Sequence, residues 1–314
     1  MAGVVGTRNI NQFITLWDTR NTSAGSSNSN QISLPLQSFH GSYDFRVYWG
    51  DGSYDDITSW NQSEATHTYV VEGIYRIIII GIINTISFGA SVFSDKLKLI
   101  DISNWGTFNW NGSTLQGSNF SGCTNFNISA LDAPGNIKSM NNSFNGCSSL
   151  NAPLNHWDVS QVQSFNSTFA NASIFNQDLD KWDVSSATDM YFMFNSAWLF
   201  NGNITTWDVS NVTIMHATLY RTSFDQDISN WNIVNVNNFN AFSVTNNLST
   251  TNYDKILIGW EATLQAAYPG GVGYLLSPSP AFGTAKYTSG GAAEAARTSL
   301  INNFNWNITD GGSV

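Results

Sequence analysis

Few residues in this chain have the type and spacing to do chemistry. Histidine occurs at positions 40, 67, 156 and 216, never in the HExxH or HxH spacing that a zinc ion needs. Asp158, Asp183 and Asp208 recur, each between a Trp and a Val-Ser pair. Two carboxylates that cleave a glycoside must face one cleft. Carboxylates at equivalent places of a repeat suit a different role, in which each bonds the backbone two residues on and fixes a turn. The turn role is the one expected, no catalytic residue is assigned, and the chain is not expected to be an enzyme. Asp51, Asp55 and Asp56 lie close enough in sequence to offer calcium a cluster of hard oxygens, although a polar hairpin accounts for the same residues. Calcium is thus the one alternative to having no cofactor. No G-x-S-x-G elbow, P-loop or dinucleotide-binding glycine pattern is present. Two cysteines, Cys123 and Cys147, are too few for a disulfide framework.

The elements that carry these residues are repeats. Trp105, Trp157, Trp182, Trp207 and Trp231 fall on a ladder of about 25 residues, with Leu131 at the missing rung. Phe126, Leu150, Phe175, Phe200 and Phe224 form a second ladder, and Phe120, Phe144, Phe169, Phe194 and Leu219 a third. Met140, Phe165, Met190 and Met215 form a fourth. A unit of this size cannot bury its own apolar face, so such units stack and share one core. Short strands are predicted near Val162–Phe165, Ala187–Met190, Val212–Met215 and Val236–Phe239, stacked as a parallel sheet. Cys123 and Cys147 fall where later units carry Ala172 and Ala197. That position calls for a small buried residue, so reduced core cysteines are expected.

The units F-x-x-C-x-x-F/L and M-x-x-x-F-x-x-A-x-x-F-N-x-x-L-x-x-W-D-V-S, over about residues 95–245, resemble BspA-like leucine-rich repeats. The resemblance implies an architecture used for adhesion and recognition on exposed surfaces. Upstream, Val47-Tyr-Trp-Gly-Asp-Gly-Ser53, Thr66-His-Thr-Tyr69 and Glu72-Gly-Ile-Tyr-Arg-Ile77 fall in the order seen in PKD-type β-sandwiches. This second resemblance covers about residues 10–90 and implies a spacer or binding module, with His67 in a structural place. From the residues alone, Gly50-Asp-Gly52 is a hairpin turn. Phe45, Val47 and Trp49 alternate as a half-buried strand does, and the run Ile77–Ile83 reads as a buried strand. Downstream, Tyr253, Ile256, Leu257, Trp260 and Leu264 mark an amphipathic helix starting near Ser249–Thr251. A Gly/Pro/Ser-rich loop from Pro269, a helix within 290–303 and a strand at Trp306–Thr309 complete a cap. The expected fold is therefore mainly β with short helices. It divides into a PKD-like sandwich at 1–92, a leucine-rich-repeat-type solenoid at 93–245 and an α/β cap at 246–314.

Composition narrows the function. The 314 residues carry a net charge of −10 with only 11% charged side chains. No basic patch can displace phosphate counterions, which argues against nucleic acid and against an anionic membrane surface. No apolar run is long enough to span a bilayer, so membrane insertion is not expected. The stretch MAGVVGTRNINQF lacks the pattern of a secretory leader.

The unit beginning at Trp182 departs from its sisters. Where two others carry Asn141-Asn-Ser143 and Asn166-Ser-Thr168, it carries Tyr191, Phe192 and Met193, and the next has His216-Ala-Thr218. It also has Trp198 where neighbours carry Thr124, Ser148 and Ser173, and Tyr220 and Arg221 follow one unit on. Positions that are polar in sister units should face water, so an exposed aromatic patch is expected at Tyr191, Phe192, Met193, Trp198, Tyr220 and Arg221. Such patches mark interaction sites, and aromatics with Arg dominate binding hot spots. The alternatives are cover by the chain's own C-terminal segment, contact with a second copy or another protein, or a glycan. The expected function is non-enzymatic recognition or assembly at an extracellular or virion surface. A structural or receptor-binding component of a virus or phage particle leads, a secreted bacterial adhesin is the alternative, and a tailspike-type polysaccharide-degrading enzyme is a third reading.

Overall fold

A computed structural model describes residues 11–38, 43–84, 86–89, 95–110, 118–244 and 248–314. Residues 1–10 of the N-terminal stretch read for a leader, His40, and the boundaries drawn at 92/93 and 245/246 lie outside the described residues. Among the described residues the architecture is mainly β with two α-helices.

The strands are β1 (Phe13–Asp18), β2 (Gln31–Ser33), β3 (Asp44–Tyr48), β4 (Tyr54–Ile57), β5 (Thr66–Thr68), β6 (Ile74–Ile82), β7 (Leu99–Asn104) and β8 (Asn127–Ile128). Six of them form one sheet in the order β4-β3-β6-β1-β7-β8, and β2 pairs with β5 apart from it. β1 is antiparallel to both β6 and β7, and β7 is parallel to β8. The sheet therefore runs without a break from the N-terminal strands into the first repeat units. Phe45, Val47 and Trp49 are buried, as their alternation predicts. The isoleucine run does not form a strand buried on both faces. Ile77 and Ile79 are buried, but Ile80 and Ile82 are exposed, because only one face of β6 meets the core.

The motif residues of the N-terminal unit converge. Trp49 lies fully buried, its ring stacked on His67 at 4.9 Å. The Tyr69 hydroxyl donates to the Trp49 carbonyl at 2.9 Å, and Tyr69 stacks on Tyr75. Gly50 is required at the turn: its φ is +86°, and a Cβ there would stand 2.7 Å from the Arg76 carbonyl oxygen.

A buried ion pair joins this unit to the start of the repeats. Lys98 and Asp95 both have fully buried side chains, 3.1 Å apart. The Lys98 ammonium shares its three N–H groups between Asp95, the carbonyls of Ser27, Asn28 and Gln31, and Ser27 Oγ, the last four at 2.7–3.0 Å. Asp95 accepts from the backbone N–H groups of Ser27 and Ser33 and from Ser27 Oγ.

The repeat units lie side by side, and one corner of each is zipped to the next by backbone bonds. The N–H groups of Met190, Phe192, Phe194 and Ser196 donate to the carbonyls of Ile214, His216, Thr218 and Tyr220, each 24 residues on. The same four-bond pattern links the units starting at Met140, Phe165 and Met215 to their successors. The donor always belongs to the earlier unit. Five corners each hold two left-handed residues, one column being Ser118, Asn142, Ser167, Phe192 and Ala217, the other Gly122, Gly146, Asn171, Ser196 and Arg221, and Ala241 continues the first column. The predicted short strands appear instead as a column of single parallel bridges, Ser164–Asp189–Ile214–Asn238, because the adjoining tight corners leave room for one ladder residue per unit.

Inside, the ladders stack as expected. Phe169 lies 5.6 Å from Phe144 and 5.5 Å from Phe194, rings near parallel. Trp182, Trp207 and Trp231 each donate an indole N–H to a carbonyl of the preceding unit, at Leu154, Leu179 and Ile204. Leu131 is not a rung. It is 74% exposed, and Trp105 and Trp110 both reach Trp157 directly, filling the space a rung would take. Cys123 and Cys147 are free and buried, and Ala172 and Ala197 follow them in the same column. Burial raises both thiol pKa values, as an inert core residue requires.

The C-terminal segment closes the stack. Helix α1 (Thr250–Ala267) is capped by Ser249, whose side chain accepts from the Asn252 N–H. Its buried face is Tyr253, Ile256, Leu257, Trp260 and Leu264, the set its period predicts. Trp260 donates its indole N–H to the Ile228 carbonyl and so takes the next rung of the tryptophan ladder from a helix. Helix α2 (Ala292–Asn302) packs beside α1. The strand predicted at Trp306–Thr309 reduces to a bridge between Ala281 and Thr309. Among the described residues no helix is long and apolar enough to cross a membrane.

Candidate interaction site

The recurrent aspartates hold turns. Asp158, Asp183 and Asp208 accept from the backbone N–H of Ser160, Ser185 and Ser210, and the Ser160 and Ser185 hydroxyls add second bonds. Bonds from the serines hold the Asp158 and Asp183 carboxyls below the usual range. These carboxylates are occupied at one turn per unit.

Asp51, Asp55 and Asp56, the residues that could have offered calcium a cluster of oxygens, do not converge. Consecutive residues of β4 point to opposite faces, so Asp55 takes the Trp49 indole N–H at 2.7 Å while Asp56 pairs with Arg46 on the outer face. Asp51 turns to Ser53 and to His67, 2.8 Å away. Burial would raise the Asp51 pKa, but bonds from Ser53 and His67 outweigh it and hold the carboxyl at about 2. Among the described residues no group of three or more His, Cys, Asp or Glu is placed to hold a metal ion.

The aromatic departure from the repeat divides into three. Met193 is fully buried and leaves the expected surface patch. Its column carries Ser143, Thr168 and Thr218, which are buried too. Thr168 and Thr218 return their hydroxyls to the Met140 and Met190 carbonyls. Polarity there reflects an internal bond rather than water, which is why the sequence pattern misleads. Tyr191 and Phe192 are half-buried and form a cluster with His216, which sequence reasoning placed among small polar residues. The Tyr191 and His216 rings stack at 4.9 Å, and Phe192 lies 4.1 Å from Tyr191. Burial lowers the His216 pKa, favouring the neutral ring in that stack.

The third part is the most exposed. Trp198 is 51% exposed and Arg221 is exposed, its guanidinium 5.8 Å from the Trp198 ring and 5.1 Å from the half-buried Tyr220 ring. Leu199 beside it and Ile174 in the preceding unit are exposed as well. Arg221 holds this place in a left-handed conformation that its column otherwise gives to Gly, Asn and Ser. The C-terminal segment does not cover Trp198. Ile174 and Leu199 escaped the sequence reading, although both break a column of small polar residues, Asn125 and Ser149.

A family described as "Mycoplasma protein of unknown function, DUF285" matches residues 90–198, 113–223 and 179–260, together more than half of the chain. The chain belongs to the DUF285 family. The DUF285 region takes in every repeat unit, the whole aromatic departure and the first half of α1. No curated protein and no solved structure matches the chain. The strands before β7 lie outside the DUF285 match.

Proposed function

We propose that this DUF285 protein is a non-enzymatic recognition or assembly component of an exposed surface, working through Trp198, Tyr220 and Arg221. The observation that carries the reading is the fate of the tryptophans: ten of twelve are buried, and Trp198 is one of two that stand out of the surface. An exposed indole flanked by a stacked guanidinium and apolar neighbours is the composition of a binding hot spot. The backbone ladder at 24-residue intervals and the stacked Phe and Trp columns support a BspA-like leucine-rich-repeat solenoid, and the packing of Trp49, His67 and Tyr69 supports a PKD-like sandwich before it. The occupied turn carboxylates and the low charge support a binding role over catalysis.

Two homes fit. The first is a virus or phage particle, where Trp198 would be an assembly or receptor contact. The second is a secreted or cell-attached adhesin, which the Mycoplasma description of the family favours, since those are cells. The test is mass spectrometry of density-gradient fractions of cell-free material from the source organism, run for the wild type and for Trp198→Ala. Co-banding with particles at fixed stoichiometry, lost in the variant, supports the first home. Presence among soluble or cell-attached proteins, with cell or glycan binding lost in the variant, supports the second. Unchanged partition and unchanged binding in Trp198→Ala would overturn the site.

A further inference from the structure

The second tryptophan left at the surface is Trp60, 47% exposed, in the turn after β4. It does not belong to the repeat surface, and its indole stacks on no other ring and donates to no partner among the described residues. It borders a concavity of about 360 Å³ lined by Ser33–Gln37, by Asn61, Gln62 and Ser63, and by Ala65 and Thr66. This lies at the lower end of the range of about 300–1,000 Å³ for small-ligand pockets.

The lining has a distinct chemistry. It contains no charged side chain. It offers the side-chain amides of Gln37 and Asn61 and the Thr66 hydroxyl, beside Gln62 and Ser63, whose donors are taken by the Asp56 carbonyl and by Glu64, with Leu34, Pro35 and Leu36 as a short apolar strip. The polar groups are held in place rather than loose. Gln62 accepts from the backbone N–H of Thr58 and Ser59 and donates to the Asp56 carbonyl, which fixes the turn that carries Trp60. Asn61 accepts from the Ser59 hydroxyl, which leaves its amide N–H groups free to donate. Gln37 donates to the Ser87 carbonyl, which leaves its side-chain oxygen free to accept. A free acceptor, free donors and a bare aromatic face thus border one uncharged pocket.

We propose that this pocket binds a neutral sugar, one or two residues of an oligosaccharide. A pyranose ring has an apolar C–H face that packs on an indole and a rim of hydroxyls that pair with amides, and a neutral lining discriminates against sulfated or carboxylated sugars. The inference concerns the N-terminal unit and does not rest on the Trp198 reading.

The test is ¹H–¹⁵N NMR of the full chain, watching the tryptophan indole signals during titration with neutral disaccharides: maltose, cellobiose, lactose and N,N′-diacetylchitobiose. The indole of Trp60 is assigned by its loss in Trp60→Phe. The expected result is a saturable shift of that signal with at least one disaccharide, with affinity in the millimolar to high-micromolar range. Saturation-transfer signals from the same sugar should fall at least tenfold in Trp60→Ala, fall less in Trp60→Phe and stay unchanged in Trp198→Ala. Trp60 is exposed, so Trp60→Ala should keep the wild-type melting temperature, and the comparison stands on folded protein. No shift of the Trp60 signal with any of the four sugars, or equal binding by Trp60→Ala, overturns the proposal. A shift with a proline-rich peptide and none with the sugars overturns the ligand class. Loss of sugar binding in Trp198→Ala with Trp60→Ala unaffected would assign the sugar to the repeat surface instead.

Discussion

Replacing Lys98 by Met tests how the N-terminal strands are fastened to the repeats. Met keeps the length of the stem and removes the ammonium. The substitution breaks the pair with Asp95 and takes the donor from three carbonyls and one hydroxyl at a place where both charged side chains have no exposure. Removing one partner of a buried pair costs about 3–5 kcal/mol because the other charge is left uncompensated. The three carbonyls add little, because Ser27, Asn28 and Gln31 are half-buried or exposed, so water can replace the ammonium, and the Asn28 carbonyl keeps the Gln31 N–H. Asp95 keeps the N–H groups of Ser27 and Ser33, which offsets part of the loss. The expected destabilisation is about 4 kcal/mol, a large share of the roughly 5–15 kcal/mol that holds a domain together. Urea unfolding, followed by tryptophan fluorescence and by circular dichroism, measures it. The Asp95→Asn variant and the double variant complete a thermodynamic cycle, with an expected coupling of about 2 kcal/mol. A loss under about 1 kcal/mol for Lys98→Met, or strict additivity in the double variant, would refute the view that this ammonium fastens the 27–33 loop.

Other perturbations probe the stack, its corners and the N-terminal turn. Phe169→Ala, which removes a ring stacked on Phe144, Phe175 and Phe194, should cost about 3–5 kcal/mol and, because each unit leans only on its neighbours, split a single urea transition into two; one sharp transition would refute it. Phe192→Asn should cost less than about 1 kcal/mol although it deletes a half-buried ring, because relief of the left-handed strain at φ +56° is about 1 kcal/mol and offsets the lost packing; a loss above about 2 kcal/mol in the same titration would show that the strain is absent. The Asp51 pKa is depressed to about 2 in the folded chain, so its contribution is complete above about pH 4 and disappears as the pH falls through 2. After allowance for its partial exposure this is about 1 kcal/mol, read as a difference between wild type and Asp51→Asn that should close at low pH.

How much of this was legible in the sequence depends on the kind of signal. Ladders of large apolar residues were legible because stacking leaves one side-chain column per position, so Phe169 and Trp182 announce themselves. The cap helix was legible from Ser249 and its buried face. Leu131 was misread because period alone cannot show that Trp110, from outside the ladder, fills its space. Met193 was misread because buried threonines that bond a carbonyl of the preceding unit look, in sequence, like surface residues. Trp60 carried no periodic signal, and only the fold shows which polar groups surround it.

The corner ladder has a direction, and both ends of the stack respect it. Earlier units give N–H groups and later units receive them, so the first units need donors from outside and the last needs acceptors. The chain before the first unit supplies N–H groups, from Phe88 and Gly89 to the carbonyls of Asn119 and Ser118. The segment after the last supplies a carbonyl, from Ala281 to the Ser243 N–H. The two closures are therefore of opposite polarity and cannot be exchanged, and two such stacks joined end to end in reversed orientation would set donor against donor. A whole unit inserted anywhere between them brings its own donors forward and its own acceptors backward. Length is in this sense a free variable of the design: the chain can lengthen or shorten by one unit of 24 or 25 residues and keep both of its original closures.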